Sequence, residues 1–229
     1  MTQKYTILFD LDGTLVDTAP DLMNAHNFVM KKFGYPTKST EEIRNLVGKG
    51  AGALIGRSIW GQAKKEFHSV EDMKIKDQMS KDFVSYYGKN IINESTLIEG
   101  VLDFLKWCKK ENISMAVCTN KQEHLAIDLL KKIGIYDYFE YVAGSNTFDY
   151  CKPDPRHLTS VIEILNGDVK KSLMIGDSET DANSAKEANI PVILLENGYT
   201  EKNSNEIYHN HLIKDFIGVE KIVSTYLID

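Results

Sequence analysis

Two aspartates spaced i, i+2 close an apolar run in Phe9-Asp10-Leu11-Asp12-Gly13-Thr14-Leu15. Carboxylates that close repel one another, so a cation belongs between them, and an all-oxygen site suits Mg2+. A strand followed by an ordinary Asp-Gly turn would explain the residues without chemistry. Against that, D-x-D-G-T arises by chance at roughly one position in 10⁵ at average residue usage. An EF-hand loop also opens D-x-D, but it needs glycine at its sixth place and glutamate at its twelfth. Here glycine is fourth and Asp21 holds the twelfth place, which excludes it.

Three further groups have useful chemistry. Thr119-Asn120 follows the apolar run Ile113 to Cys118 and offers a hydroxyl, an amide and backbone N–H groups to phosphate oxygens. Either residue could equally cap the next helix. Lys152 stands in Cys151-Lys152-Pro153-Asp154-Pro155, where prolines fix the backbone ahead of a helix; a lysine in a loop is otherwise solvated surface. Asp177 and Asp181, in Gly176-Asp177-Ser178-Glu179-Thr180-Asp181, are oxygen ligands brought together if a helix begins near Ser178 or Glu179. They could instead complement that helix's dipole. It is the four groups at successive strand ends that make the signal.

The elements that must position them follow from periodicity. Tyr5 to Phe9 reads as a buried strand, and its carboxyl end is where open α/β sheets keep ligand crevices. Thr18-x-x-Asp21 resembles a capping box opening a helix with Leu22, Ala25, Val29 and Phe33 on one face, ended by Gly34-Tyr35-Pro36. Further helices are expected over Thr40 to Val47, Gly50 to Trp60 and Ala63 to Tyr87, with no strand in the stretch 15–96 and a polar linker from Asn90 to Thr96. From Leu97, strands and helices alternate. Strands are expected at Ile113 to Cys118, Phe139 to Ala143, Ser172 to Ile175 and Pro191 to Leu195. Helices are expected around Val101 to Cys108, Gln122 to Lys132, Arg156 to Leu165, Glu179 to Asn189 and, with Phe216, Val219, Ile222, Val223 and Leu227, at the carboxyl end. The fold class is therefore α/β, a Rossmann-like parallel sheet with helices on both faces. Residues 1–14 and 97–229 form the core, and 15–96 form an inserted all-helical cap.

Composition removes several function classes. The chain of 229 residues is 42% apolar and 26% charged, as in ordinary globular proteins. Its formal charge is −6 without a basic run, which argues against nucleic-acid binding. Cys108, Cys118 and Cys151 are too scattered for a disulfide framework or zinc site, and the six histidines show no ligand spacing. No apolar run approaches a membrane span and Met1-Thr2-Gln3-Lys4 carries no signal peptide, so a cytoplasmic protein is expected.

The order D-x-D-G-T, strand then Thr-Asn, Lys before Pro, and G-D-x-x-x-D resembles the haloacid dehalogenase-like hydrolase superfamily, and the helical insertion resembles its type 1 cap. Asp10 to Thr18 and Val47-Gly-Lys-Gly-Ala51 are most similar to its phosphoglycolate phosphatases. The resemblance implies Asp10 as nucleophile and Asp12 as acid and base. It also implies Thr119, Asn120 and Lys152 on the phosphoryl group. Mg2+ would be held by Asp10, the Asp12 carbonyl and Asp177, with Asp181 orienting the set. Threonine replaces the second aspartate in members that stop at the phosphorylated enzyme, so Asp12 implies completed hydrolysis. The partner implied is a small phosphorylated metabolite, 2-phosphoglycolate first. Sugar phosphates, nucleotides or pyrophosphate, a phosphomutase reaction, and a non-catalytic binding protein are the alternatives. In the cap, Gly50 and its neighbouring glycines precede a helix N-terminus, and Lys49 and Arg44 add positive charge for a substrate carboxylate; the same glycines would also serve tight helix packing.

Overall fold

The apolar run at Tyr5 becomes β1 (Thr6–Phe9), a central strand buried along its whole length. A computed structural model of the chain describes residues 4–61 and 69–227. After β1 come β2 (Val16–Asp17) and four helices: α1 (Ala19–Phe33), α2 (Thr40–Arg44), α3 (Ala51–Trp60) and α4 (Val70–Lys89). The chain returns through β3 (Thr96–Leu97) and alternates through α5 (Val101–Lys110), β4 (Ser114–Cys118), α6 (Glu123–Lys132), β5 (Tyr141–Ala143), α7 (Arg156–Ile164), β6 (Ser172–Gly176), α8 (Glu179–Glu187) and β7 (Val192–Leu195). It then closes with β8 (His211–Ile213) and α9 (Val219–Ser224).

Six strands form one parallel sheet in the order β5-β4-β1-β6-β7-β8. Side chains alternate between its faces, so one strand feeds two cores. Ile7 and Phe9 pack with Phe104 and Leu105 of α5 and Leu129 of α6. Leu8 packs with Leu158 and Val161 of α7 and Ala182 and Ala185 of α8. Helices cover both faces, as the unbroken apolar strands require.

Several expectations change. A sixth strand, β8, joins the sheet edge; its three residues are too few and too exposed to carry a periodic signal. The stretch 15–96 is not free of strands either, because β2 pairs antiparallel with β3. This two-residue ribbon ties the start of the helical segment to its return. The helix expected from Ala63 begins at Val70 among the described residues, and the earlier part of that expectation lies outside them. Ser69 and Asp72 form a capping box there. Phe216 is buried but lies ahead of α9, across the turn at Gly218.

The capping box expected at Thr18 does not form. The Thr18 hydroxyl donates to Asp12 instead, at 2.6 Å. Tyr199, distant in sequence, supplies the missing acceptor: its hydroxyl takes the N–H groups of Thr18 and Ala19, both at 2.8 Å. Asp21 bonds the N–H of Glu94 and both the N–H and hydroxyl of Ser95, tying α1 to the chain entering β3.

Candidate active site

Parallel strands bring their carboxyl ends to one edge, and the acidic residues meet there. Asp10 leaves β1 with its N–H on the Ile175 carbonyl of β6 at 2.9 Å. Asp177 follows β6 and Asp181 sits in the first turn of α8. Each of these three carboxylates offers an oxygen within 4.8 Å of the others, and all three are buried. Asp181 Oδ2 accepts the N–H groups of Asp177 and Ser178 and the Ser178 hydroxyl. Asp177 Oδ2 accepts the Tyr199 N–H at 2.6 Å. Gly13, at φ +81, lies against Asp177 and the Tyr199 ring so closely that a Cβ would collide with both.

Lys152 reaches this cluster from its proline-bounded loop, with Nζ 2.5 Å from Asp181 Oδ1 and 2.9 Å from Asp10 Oδ1. Asp10 Oδ1 is buried and has no hydrogen-bond partner beyond this ion pair. Burial pushes the Asp10 carboxyl up to about 6 against the pull of Lys152, with Asp181 adding to the rise. Asp177 is held well above the usual carboxylate range, first by burial and then by Asp10 and Asp181. Burial would lower the Lys152 ammonium, but its two aspartates outweigh that and raise it. Three buried carboxylates against one ammonium leave negative charge uncompensated. An oxygen-only donor set with an unbonded oxygen on Asp10 fits a hard divalent cation such as Mg2+.

Asp12 lies apart from that cluster. Its carboxylate takes the Thr18 hydroxyl and Lys121 Nζ, the latter at 2.5 and 2.7 Å. Thr119 follows β4 with its N–H on the Ala143 carbonyl, so that N–H is not free for phosphate, and its hydroxyl accepts the Lys121 N–H. The Asn120 amide is also committed: Nδ2 donates to the carbonyls of Gly48 and Lys152 at 2.9 and 3.0 Å. Neither residue caps α6, whose N-cap is Gln122. Asp10, Asp12, Thr119 and Asn120 line a cavity of about 460 Å3 between the sheet edge and the inserted helices.

A family model for haloacid dehalogenase-like hydrolases matches residues 7–195. The chain belongs to that family. It is 36% identical over 210 residues to a phosphoglycolate phosphatase of Mesorhizobium japonicum, spanning 92% of this chain and 90% of that one. It is 37% identical over 223 residues to a phosphoglycolate phosphatase of Agrobacterium fabrum, spanning 95% and 93%. A crystal structure described as a predicted phosphoglycolate phosphatase, from Haemophilus somnus, superimposes with a TM-score of 0.87 at 30% identity, over 97% of this chain and 99% of that one. As a member of this family the chain is an enzyme, a phosphatase-like hydrolase.

On the helical side of this haloacid dehalogenase-like hydrolase, Lys49 and Gly50 line the cavity, with Lys49 exposed at its mouth. Arg44 is not part of the lining. Its guanidinium bonds Asp17 at 2.6 Å and lies over the Tyr199 ring, because the β2–β3 ribbon carries a carboxylate within its reach. The hydrogen bonds from Arg44 and Tyr199 hold the Asp17 carboxyl below its ordinary value despite burial. The contacts that seat the inserted helices on the sheet edge include the Asn120 bond to Gly48 and the pair Arg57–Glu201. Sequence reasoning passed over Lys121 and Tyr199. Lys121 stood in plain view beside Thr119-Asn120, whereas Tyr199 is joined to the site only through the fold.

Proposed function

We propose that the protein is a Mg2+-dependent phosphatase of small phosphate monoesters, acting on 2-phosphoglycolate through a phosphorylated aspartate. The observation that carries this reading is the buried cluster of Asp10, Asp177 and Asp181 joined by Lys152, which reaches through Asp10 the cavity that Asp12 also lines. The names of the relatives support the choice of substrate.

In this reading an Asp10 oxygen attacks phosphorus, forming one O–P bond while the bond to the leaving oxygen breaks. Asp12 gives its proton to that oxygen, then takes a proton from the water that attacks the aspartyl phosphate. Phosphate departs and both carboxyls return to their starting forms. Lys152 and the Thr119 hydroxyl hold the phosphoryl oxygens as charge shifts among them. Asp10, Asp177, Asp181 and the Asp12 carbonyl would hold Mg2+, which when bound offsets repulsion between anionic nucleophile and anionic substrate. The segment 15–96 serves as a cap on the β2–β3 ribbon, with Lys49 and Gly50 at its contact with the cavity.

The test is kcat/KM across phosphoglycolate, sugar phosphates, nucleotides and pyrophosphate, with acid-quench mass spectrometry to trap phosphate on Asp10. Phosphoglycolate should lead, and Asp10→Asn should abolish both turnover and trapped phosphate. A fully active Asp10→Asn protein would end the covalent reading, and a flat panel would end the substrate reading.

A further inference from the structure

The cations around the cavity are unequally placed. Lys49 is exposed, Lys76 pairs with Asp77, Arg44 is bound to Asp17, and Lys152 belongs to the carboxylate cluster. Lys121 differs from all of them among the described residues. Its side chain is 6% exposed yet lines the cavity, with its ammonium on Asp12 and 4.6 Å from the centre of the Tyr87 ring of α4. Burying an ammonium costs several kcal/mol unless it is paired. Fixing Asp12 does not by itself require that cost, since the Thr18 hydroxyl already holds the same carboxylate at 2.6 Å.

We infer that Lys121 binds a second anionic group on the substrate, a carboxylate one carbon from the ester oxygen. The inference rests on the phosphatase reading above and deepens it by assigning the cation that reads the leaving group. The geometry follows from the role of Asp12. A group that protonates the ester oxygen sits within a hydrogen bond of it, and Lys121 Nζ sits within a hydrogen bond of Asp12. With bonds of about 1.4–1.5 Å, a carboxylate one carbon away has an oxygen roughly 3 Å from the ester oxygen. An ammonium with three donors on Asp12 can therefore bridge to that oxygen while remaining paired. The Tyr87 face adds a cation–π contact that favours the ammonium at this place.

Replacing Lys121 also disturbs Asp12, so the comparison substrate must need its acid equally. 2-Hydroxyethyl phosphate meets this condition: it has the same chain length and a comparable alkoxide leaving group, with a neutral hydroxymethyl group in place of the carboxylate. Steady-state kcat/KM for it and for 2-phosphoglycolate is measured on wild type, Lys121→Met and Lys121→Gln; the Gln variant retains a neutral donor for Asp12. Wild type should favour phosphoglycolate, and both variants should lose about 10- to 150-fold of that preference, the span expected for one charge-assisted hydrogen bond. A preference that survives in the variants, with equal losses on both substrates, would reduce Lys121 to a positioning residue and overturn the inference while the substrate reading stands. Absence of the preference in wild type would overturn both. Far-UV circular dichroism and a melting curve identify any variant that fails to fold, and the other variant then carries the test.

Discussion

Replacing Tyr199 by Phe removes one oxygen and should destabilise the fold well beyond a typical surface change. The hydroxyl is buried and serves three partners. It accepts the N–H of Thr18 and of Ala19 at 2.8 Å each and donates to Asp17 Oδ1 at 2.6 Å. The two N–H groups lie at the start of α1, where no helical carbonyl can reach them. Thr18 does not cap its own helix, because its hydroxyl is turned to Asp12 and its backbone lacks the extended form of a capping residue. An orphaned buried donor costs about 1–3 kcal/mol. Ala19 retains a longer bond to Asp17 at 3.3 Å and Asp17 retains Arg44, so the sum is about 2–4 kcal/mol rather than the full range for three groups. For a chain of this size that is a drop of about 4–16 °C in Tm. Urea unfolding of wild type and Tyr199→Phe should show a lower midpoint at an unchanged slope. A loss below about 0.5 kcal/mol, the range of ordinary surface substitutions, would refute Tyr199 as the cap of α1.

Asp21→Ala should cost a comparable amount, about 2–4 kcal/mol by urea unfolding, because Glu94 and Ser95 lose their buried acceptor. A chelator should abolish activity and Mg2+ should restore it. Mg2+ should also raise the Tm of wild type by the linkage expected of a ligand bound only to the folded chain, and Asp177→Ala should need far more Mg2+ for both effects. His157 is fully buried, and burial, with Lys152, pushes its pKa down to about 4. Above the ordinary value near 6.5 both folded and unfolded chains hold it neutral, but at lower pH only the unfolded chain gains the proton. Wild type should therefore lose up to about 3 kcal/mol between pH 6.5 and 4 that His157→Gln does not lose, measured by urea unfolding at each pH.

The sheet and the carboxylate cluster at its edge were legible because each followed from local sequence. Buried strands such as Ser114–Cys118 are unbroken apolar runs, and Asp10, Thr119 and Asp177 stand directly after them. Strand β8 and the β2–β3 ribbon were not legible, since two or three residues carry no period and pair only because the fold brings them together. Helix starts were less legible. The Ser69–Asp72 capping box before α4 was not read from the sequence, although its partners lie only three residues apart. At Thr18 the same spacing misleads, because Asp12 competes for the hydroxyl.

Arg44 and Lys121 show the limit most sharply, because residue type and chain position say nothing of the partners that the fold gives each one. Arg44 lies near the glycine turn and carries the positive charge a substrate carboxylate needs, yet Asp17 sits 2.6 Å from it across the ribbon. A local carboxylate held by covalent proximity competes with any diffusible one at high effective concentration, so a guanidinium already paired is a poor reader of substrate. Lys121 is also paired, and the same reasoning would dismiss it if Asp12 were an ordinary partner. The difference is where the partner stands. Asp17 bonds Tyr199 and takes no part in the cavity lining, whereas Asp12 lines the cavity that the proposed function assigns to the ester. A substrate anion must break the Arg44 pair to use that cation, but it can join the Lys121 pair from the open side. Whether a pair faces solvent-filled space or a closed network depends on the fold, which is why cation counting along the chain selects Arg44 and Lys49 while the inference drawn above selects Lys121.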